Sequence, residues 1–435
     1  DSTSAAMPNR PTSAGGTRRA TSTSEISALA CCTPWRAAVQ ALPRTMRAPS
    51  CPGASLTRAI LHDALPGCTQ IGPCAGTPGQ RSMRGMPRRP RLCLRLPEVD
   101  PSLETDSVRR TNATLRQLLA RRYEAVEEES AELIVEGALT REPDAAGKTL
   151  PPRLIFAHGA LGDPGHWLLT IPFLRACDCL AFSSSSDRGI FERLAGSVRC
   201  RTAWLPLCVD TEVFRPRPEL RQTLRARYGL AERTPLLLTV SALSPGKNVQ
   251  SALLLLRELR RSRPDACCWI VGAGSQAYLA DLAQRLGVSA AVRFMGAVSR
   301  EALSELYPAA DLLVHLTLNR KENLGLVSLE AQACGVPVLA ARWGGVGDTL
   351  VHGETGYVAD AYLVGAERRV DWLALLRPAL QLLADAALAR RVGAAARARV
   401  VREYSPAALA RRLYRVIDRQ LAGETADQRS LTLSA

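Results

Sequence analysis

A chain of 435 residues with 46% apolar residues can form two or three globular domains, and its apolar runs are too short to predict a membrane-spanning helix. The formal charge of +15 is concentrated at one end, because residues 1–96 hold 13 arginines against three acids. No basic stripe with interleaved aromatic residues is found, which argues against nucleic-acid binding. A weak attraction of the basic segment to acidic phospholipids leaves a peripheral membrane contact open.

The 13 cysteines include no CxxC pair, and no histidine pair stands at zinc-finger spacing from them. The odd number and the spacing favour free thiols in a reducing compartment. We therefore expect a cytoplasmic protein, open to contact with the inner face of the membrane, and we expect no metal site.

Residues 1–96 are rich in Ser, Thr, Pro, Gly, Ala and Arg and show little periodicity. A disordered basic tail, a targeting presequence and a non-natural segment are the three alternatives, since residues 60–72 resemble translated sequencing-adapter DNA. Disorder or artefact is favoured, and no function is assigned to this segment.

The next region, residues 97–216, is predicted to be a partial Rossmann-like domain. Its first part, 106–140, has the apolar spacing of an amphipathic helix. Only three strands are predicted after it, at 153–157, 179–183 and 202–205, with short helices at 167–174 and 187–194. A proline-punctuated connection from Pro206 to Pro218 then marks the domain boundary.

Residues 217–402 alternate regularly between strands and helices and are predicted to form a second domain. The predicted strands are 235–241, 267–271, 291–294, 311–316 and 336–340, and the helices are 249–261, 276–286, 300–306 and 326–333. This alternation is typical of a parallel, doubly wound sheet, which binds ligands at the carboxyl ends of its strands. A terminal helix at 403–421 and a frayed tail at 422–435 complete the predicted organisation.

Two glutamates eight residues apart, Glu322 and Glu330, bracket the start of the predicted helix 326–333. The first-turn amides of such a helix lack internal partners and, with the macrodipole, suit a diphosphate. Carboxylates accept hydrogen bonds from hydroxyl groups, so Glu330 suits a ribose and Glu322 a sugar. Taken alone, the pair is equally consistent with a helix cap and a solvated carboxylate.

This block resembles the E-x7-E signature of the family-4 retaining glycosyltransferases, also called glycosyl transferases group 1. The similarity covers roughly residues 153–420 and includes further segments in the family's order, at 209–216, 292–296, 307–311, 335–338, 344–345 and 353–358. The resemblance implies the α/β GT-B fold, with two facing Rossmann-like domains and parallel sheets. It also implies metal-independent transfer of a hexosyl group, with retention, from a nucleotide-diphosphate sugar to an acceptor hydroxyl.

The resemblance also implies roles for individual residues. Lys247 would hold the donor diphosphate, and Glu330 the ribose. The transferred sugar and its phosphate would be held by Glu322 and the amides of Asn323, Leu324 and Gly325. Met295 would contact the base, Gly272 would belong to the donor-binding turn, and His158 would lie near the donor sugar. No cofactor is expected beyond the donor substrate, and the acceptor, whether a glycan, a lipid or a small molecule, is not identified.

Several positions depart from the family pattern. Ala242 stands where the family has an arginine, Asp348 replaces a glutamate, and the Gly-rich loop of the first domain is not found, so that domain is predicted to be truncated or atypical. Two alternatives follow. One is a degraded pseudo-glycosyltransferase that binds nucleotide sugar without efficient turnover, and the other is a GT-B nucleotide-sugar epimerase.

Overall fold

The computed structural model describes residues 88–96, 107–137, 150–157, 171–194, 200–319, 322–365 and 367–423. All of these residues belong to one compact unit, Met83–Ala435. The predictions for residues 1–87, for most of the helix at 167–174, for His158 and for nearly all of the tail lie outside the described residues.

The first sheet has six strands, all parallel, in the order β2-β1-β3-β4-β5-β6. Its strands are β1 (Arg91–Arg95), β2 (Glu124–Ala125), β3 (Leu133–Glu136), β4 (Arg153–Phe156), β5 (Cys179–Phe182) and β6 (Arg201–Trp204). Among the described residues between β1 and β6, the helices are α1 (Ser107–Ala120) and α2 (Ser185–Leu194).

This sheet corrects the prediction of three strands and the placement of residues 1–96 outside the fold. Strand β1 lies inside that segment and pairs with both β2 and β3. The arginines at its ends masked a short strand, in which Leu92 is fully buried. The predicted helix over 106–140 ends at Ala120, and residues 133–136 of that range form strand β3 instead.

The second sheet has seven strands in the order β13-β12-β11-β10-β7-β8-β9, and only β13 is antiparallel to its neighbour. Its strands are β7 (Leu236–Val240), β8 (Cys267–Val271), β9 (Val292–Gly296), β10 (Leu312–His315), β11 (Val338–Arg342), β12 (Tyr357–Val364) and β13 (Glu367–Val370). The helices that follow β6 in the chain are α3 (Pro218–Arg227), α4 (Gln250–Ser262), α5 (Ala277–Arg285), α6 (Arg300–Leu306), α7 (Leu326–Ala333), α8 (Leu376–Ala384), α9 (Ala386–Glu403) and α10 (Pro406–Leu421).

Apolar clusters on both faces of the second sheet explain why its strands read as continuous apolar runs. Leu236 and Leu238 pack into one cluster and Leu237 into the other, and all three are fully buried. Parallel sheets covered by helices on both sides have this character. The order of strands and helices predicted for 235–340 agrees with the structure, whereas the β12–β13 hairpin was not predicted.

Helix α10 packs against the first sheet although it follows the second sheet in the chain. Its residues Leu409, Leu413 and Ile417 are buried in the same cluster as Leu92 and Leu133 of the first sheet. These apolar residues, which are spaced along one face of α10, therefore complete the core of the first half.

Over the described residues, no single helix has both the length and the apolar character needed to cross a membrane. Taken together, the consecutive helical segments 372–384 and 386–421 pass on length and composition alone, and they are bent by 108°.

Candidate functional site

The centre of the candidate site is an ion pair between two loops at the carboxyl ends of β7 and β10. Lys247 Nζ donates to Glu322 Oε2 at 2.5 Å, and the side chains are 23% and 12% exposed. The buried hydroxyl of Thr317 donates to the same carboxylate oxygen at 3.3 Å. Two residues 75 positions apart, predicted to hold the diphosphate and the sugar, are thus in direct contact.

Asn248 fixes the loop that carries Lys247. Its backbone is left-handed, with φ of 53°, and its Nδ2 donates to the Leu316 carbonyl at 2.8 Å. Its Oδ1 accepts from Ser251 Oγ at 2.9 Å, while the amide of Leu318 donates to the Gly246 carbonyl at 3.0 Å. The two loops are therefore tied together behind the ion pair. Sequence reasoning missed Asn248 and Thr317, because these bonds join segments remote in the chain.

His315 ends β10 directly beneath the ion pair. Its side chain is buried, and within the described part of the chain its Nε2 has no hydrogen-bond partner. Burial lowers the pKa of His315; the nearby Glu322 carboxylate opposes this effect and the Lys247 ammonium reinforces it. The imidazole is therefore neutral at pH 7.

The Glu322 carboxyl is held ionised by its surroundings. Burial alone would raise its pKa, but the Lys247 ammonium and the Thr317 hydroxyl lower it below the ordinary value. An ionised carboxylate with one lysine partner can accept further hydrogen bonds, as a sugar hydroxyl would require.

Helix α7 begins beside this ion pair. Gly325 immediately precedes it with a left-handed backbone (φ of 78°), and Leu324 is buried. The structure thus places Glu322, Asn323, Leu324 and Gly325 at the helix start, as the sequence predicts. The first-turn amides and the positive end of the helix dipole lie where an anion is stabilised.

Glu330 is buried farther along α7, with 6% of its surface exposed. Tyr307 Oη donates to its Oε2 at 3.2 Å. Burial raises the pKa of Glu330 to about 7, and the charges of Arg110 and Arg300 with the Tyr307 hydrogen bond only partly offset it. A carboxyl poised near neutrality in a buried position is typical of a ligand site.

The remaining predicted residues are less closely joined to this centre. The amide of Gly272, after β8, donates to the Gly296 carbonyl at the end of β9 at 2.8 Å. Met295 is half-buried at the edge of the apolar cluster on one face of the second sheet. Both lie at the same carboxyl edge, and no contact joins either of them to Lys247 or Glu322 in the described chain. His158 lies outside the described residues.

The serine cluster after β5 meets the site from the first half of the molecule. Asn323 Nδ2 donates to Ser183 Oγ at 3.1 Å. The amide and hydroxyl of Ser185, at the start of α2, donate to the two carboxylate oxygens of Asp348 at 2.5 and 2.7 Å. The two halves therefore contact each other beside the start of α7. The sequence shows a strand that ends in serines, but gives no sign of their partners.

Asp348 is also tied to the helix that precedes α10. Its backbone carbonyl accepts from Arg399 Nη2 and from Tyr404 Oη, each at 2.9 Å. Within the part of the chain that the structure describes, no group of three His, Cys, Asp or Glu side chains could hold a metal ion.

Two facing parallel sheets, with a lysine–glutamate pair and a helix start at the carboxyl edge of one of them, define the GT-B class. Residues 221–399 match the family model described as glycosyl transferases group 1. Over these residues the chain is similar to this family.

Solved structures with low sequence identity share the fold. Sucrose-phosphate synthase from Thermosynechococcus elongatus gives a TM-score of 0.55 at 21% identity, covering 72% of this chain and 78% of that chain. HepE from Anabaena, solved in complex with UDP and glucose, gives 0.57 at 17% identity, covering 76% of this chain and 100% of that chain.

Curated relatives are more similar in sequence than these structures, over about half of the chain. A protein named GDP-mannose-dependent alpha-(1-6)-phosphatidylinositol monomannoside mannosyltransferase, from Mycolicibacterium smegmatis, is 38% identical over 228 residues, which is 51% of this chain and 56% of the relative. The protein of the same name from Mycobacterium tuberculosis (strain ATCC 25618 / H37Rv) is 36% identical over 242 residues, which is 54% of this chain and 60% of the relative. The chain thus spans little more than half the length of these relatives.

Proposed function

We propose that this protein transfers a hexosyl group from a nucleotide-diphosphate sugar to an acceptor hydroxyl, with retention and without a metal ion. One observation carries the proposal: the contact of Lys247 with Glu322 at 2.5 Å beside the start of α7. The pair brings a cation, an ionised carboxylate and helix amides to one point at the carboxyl edge of the sheet, where such folds bind ligands.

Each of these groups has a task in the reaction. The Lys247 ammonium, leaving Glu322 for the donor phosphates, would stabilise negative charge as the glycosidic bond breaks, together with the amides at the start of α7. Glu322 would then accept hydrogen bonds from the sugar, and Glu330 from the ribose. The leaving phosphate would take the proton of the acceptor hydroxyl. Lys247 and the helix amides would stabilise the charge of that phosphate in place of a metal ion.

GDP-mannose is the donor that the relatives favour, because two of them are named GDP-mannose-dependent mannosyltransferases. Their names also include a phosphatidylinositol-based acceptor, which is consistent with a cytoplasmic protein in peripheral contact with the membrane. UDP-sugars belong in the same test, since HepE was solved with UDP and glucose.

The donor test measures thermal unfolding of the full chain with GDP-mannose, UDP-glucose and ADP-glucose. A donor at about 100 Kd that binds only the folded state stabilises it by about 2.7 kcal/mol. We expect one base to shift the unfolding midpoint, Glu330→Ala to abolish the shift, and Glu354→Ala, at an exposed glutamate, to preserve it. No shift with any donor, in a folded protein, would contradict the proposal.

Lys247 is tested by two substitutions. Lys247→Met removes the cation and should lower the transfer rate by about 10²-fold or more. Lys247→Arg keeps the positive charge and should retain part of the transfer rate. The product anomer, followed by NMR with and without EDTA, tests retention and metal independence separately from binding.

Binding of nucleotide sugar without efficient turnover is the second candidate, and Ala242 is the observation that favours it. This residue is exposed just beyond β7 and presents only a methyl group where related glycosyltransferases carry a guanidinium. Ala242→Arg should raise the rate by about 10²–10³-fold if a missing phosphate contact limits turnover. Donor binding without turnover in both forms would establish the second candidate instead.

A further inference from the structure

A two-stranded ribbon, formed by Ala361–Val364 and β13, extends beyond the end of strand β11. The register of β12 with β11 ends at Asp360, which lies opposite Arg342, the last residue of β11. The residues of β12 beyond this point pair with β13, and no other described strand pairs with them. Because a strand rises about 3.3 Å per residue, the four residues carry the ribbon about 13 Å past β11.

The end of this ribbon is apolar and exposed. Tyr362, Leu363 and Val364 are exposed over 50%, 68% and 56% of their surface, and Leu363 is the most exposed large apolar residue of the described chain. Consecutive side chains of a strand point to opposite faces, so Leu363 lies on one face of the ribbon and its two neighbours lie on the other. A flat protein surface could cover only one of these faces, whereas a fluid apolar phase covers both.

The charged groups along the ribbon are largely paired with one another. Arg369 forms an ion pair with Glu367, and Arg342 Nε lies 2.8 Å from Asp360 Oδ1 at the base of the ribbon. These pairs offer little net attraction to a charged surface. The ribbon therefore presents apolar side chains, and not charge, to whatever it contacts.

The base of the ribbon lies beside the candidate site. The Arg368 guanidinium lies 5.7 Å over the ring of Trp343, which directly follows β11. Trp343 Nε1 donates at 2.9 Å to the carbonyl of Asn319, in the connection after β10 that also carries Glu322. Because β12 runs parallel to β11, the ribbon leaves the sheet at its carboxyl edge, which is the edge of the candidate site.

We propose that the end of the ribbon, Tyr362–Val364, inserts into the apolar layer of a lipid bilayer. Side chains on opposite faces leave water together only in a medium that closes around the ribbon. Tyr362 lies farther from the turn than the other two, and its apolar ring with a polar tip suits the lipid–water boundary. A bilayer here lies on the side of the candidate site, so the acceptor is held at the lipid–water interface; this last step rests on the proposed function.

Sedimentation of the full chain with phosphatidylcholine vesicles, without donor, tests the surface. Phosphatidylcholine has no net charge, so it does not attract the basic segment 1–96 electrostatically. We expect reversible binding at millimolar lipid, because three partly exposed side chains supply a weak anchor. Binding should be the same at about 0.1 M and about 0.5 M salt, since the transfer of apolar groups is not screened.

Two substitutions of Leu363 should change vesicle binding in opposite directions. Leu363→Ser should weaken it by about tenfold, because the burial of a leucine side chain is lost. Leu363→Trp should strengthen it by about threefold, because tryptophan is favoured at the membrane boundary. A purely structural role of Leu363 predicts no gain from the tryptophan.

Val364→Ser and Val401→Ser form a matched pair, because Val401 is an exposed valine of α9, outside the ribbon. Vesicle binding should fall several-fold in Val364→Ser and stay unchanged in Val401→Ser. Equal binding by the wild type and Leu363→Ser would overturn the proposal. The same conclusion would follow if the wild type, shown to be folded by thermal unfolding, did not bind the vesicles.

Light scattering without lipid tests the other occupant, which is a second copy of this chain. We expect the wild type and Leu363→Ser to have the same mass at every protein concentration. Self-association that rises with concentration and is lost in Leu363→Ser would assign the end of the ribbon to a protein interface and overturn the lipid proposal. Neither assay contains donor or follows transfer, so a failure of lipid binding and a failure of the proposed function are separate results.

Discussion

Replacing Glu330 with glutamine should change the stability of the ligand-free protein in a pH-dependent way. Burial raises the pKa of this carboxyl from its ordinary 4.5 to about 7. The folded protein therefore holds a proton that the unfolded chain has released, and its stability falls as the pH rises through this window. Between pH 5 and pH 8 this effect lowers the free energy of unfolding by about 2.5 kcal/mol.

Glu330→Gln removes the titration but keeps an oxygen that can accept the hydrogen bond of Tyr307. Any constant cost of the amide is the same at both pH values, so the difference between wild type and variant isolates the charge. Over the unit Met83–Ala435, about 2.5 kcal/mol corresponds to a shift of about 3–4 °C in the unfolding midpoint.

The assay is calorimetric unfolding of both proteins at pH 5 and pH 8 without donor. The unfolding midpoint of the variant, relative to that of the wild type, should be higher at pH 8 than at pH 5. Donor binding by the variant should be lost at both pH values. A gap between the two proteins that stays constant across this range would refute the reasoning, because it would mean that the Glu330 carboxyl titrates normally. Glu354→Gln, at an exposed glutamate, is the control and should show no such trend.

Two further predictions concern the contact between the halves. A Cβ on Gly345 would lie 1.9 Å from the Asn323 carbonyl oxygen and 2.6 Å from Ser184 Cβ. Gly345→Ala should therefore push Asn323 and Ser184 away from residue 345. Donor affinity should fall at least tenfold in the same thermal-shift assay, and unchanged affinity would contradict the close packing. Asp348→Asn removes the charge that accepts from the Ser185 amide and hydroxyl at the start of α2. It should destabilise the protein by about 1 kcal/mol, measured by thermal unfolding, and an unchanged midpoint would count against this role.

The sequence predicts the second sheet better than the first for a physical reason. Strands buried on both faces, such as Leu236–Val240, stand out as apolar runs between helices of regular period. In the first half, β1 is an arginine-flanked strand in a basic segment, and β3 lies within a range that was predicted as one helix. Short parallel strands depend on partners far along the chain, which local pattern does not reveal.

The candidate site, like the fold, was predicted from the sequence only in part. Lys247, Glu322 and Glu330 belong to motifs with characteristic spacing, and the sequence placed them in the loops and helix where the structure has them. Their roles as donor ligands stay predictions. The contacts that position them, from Thr317 and Asn248, join segments that meet only once the sheet has formed.

The packing of α10 has a consequence for how the chain is made. Leu409 and Leu413 complete an apolar core whose other members, such as Leu92 and Leu115, are synthesised hundreds of residues earlier. A nascent chain that has emerged only as far as β6 therefore exposes the surface that this helix will cover. We expect the second half to fold first on the ribosome, and the early half to stay open to chaperones until the last helix has been released.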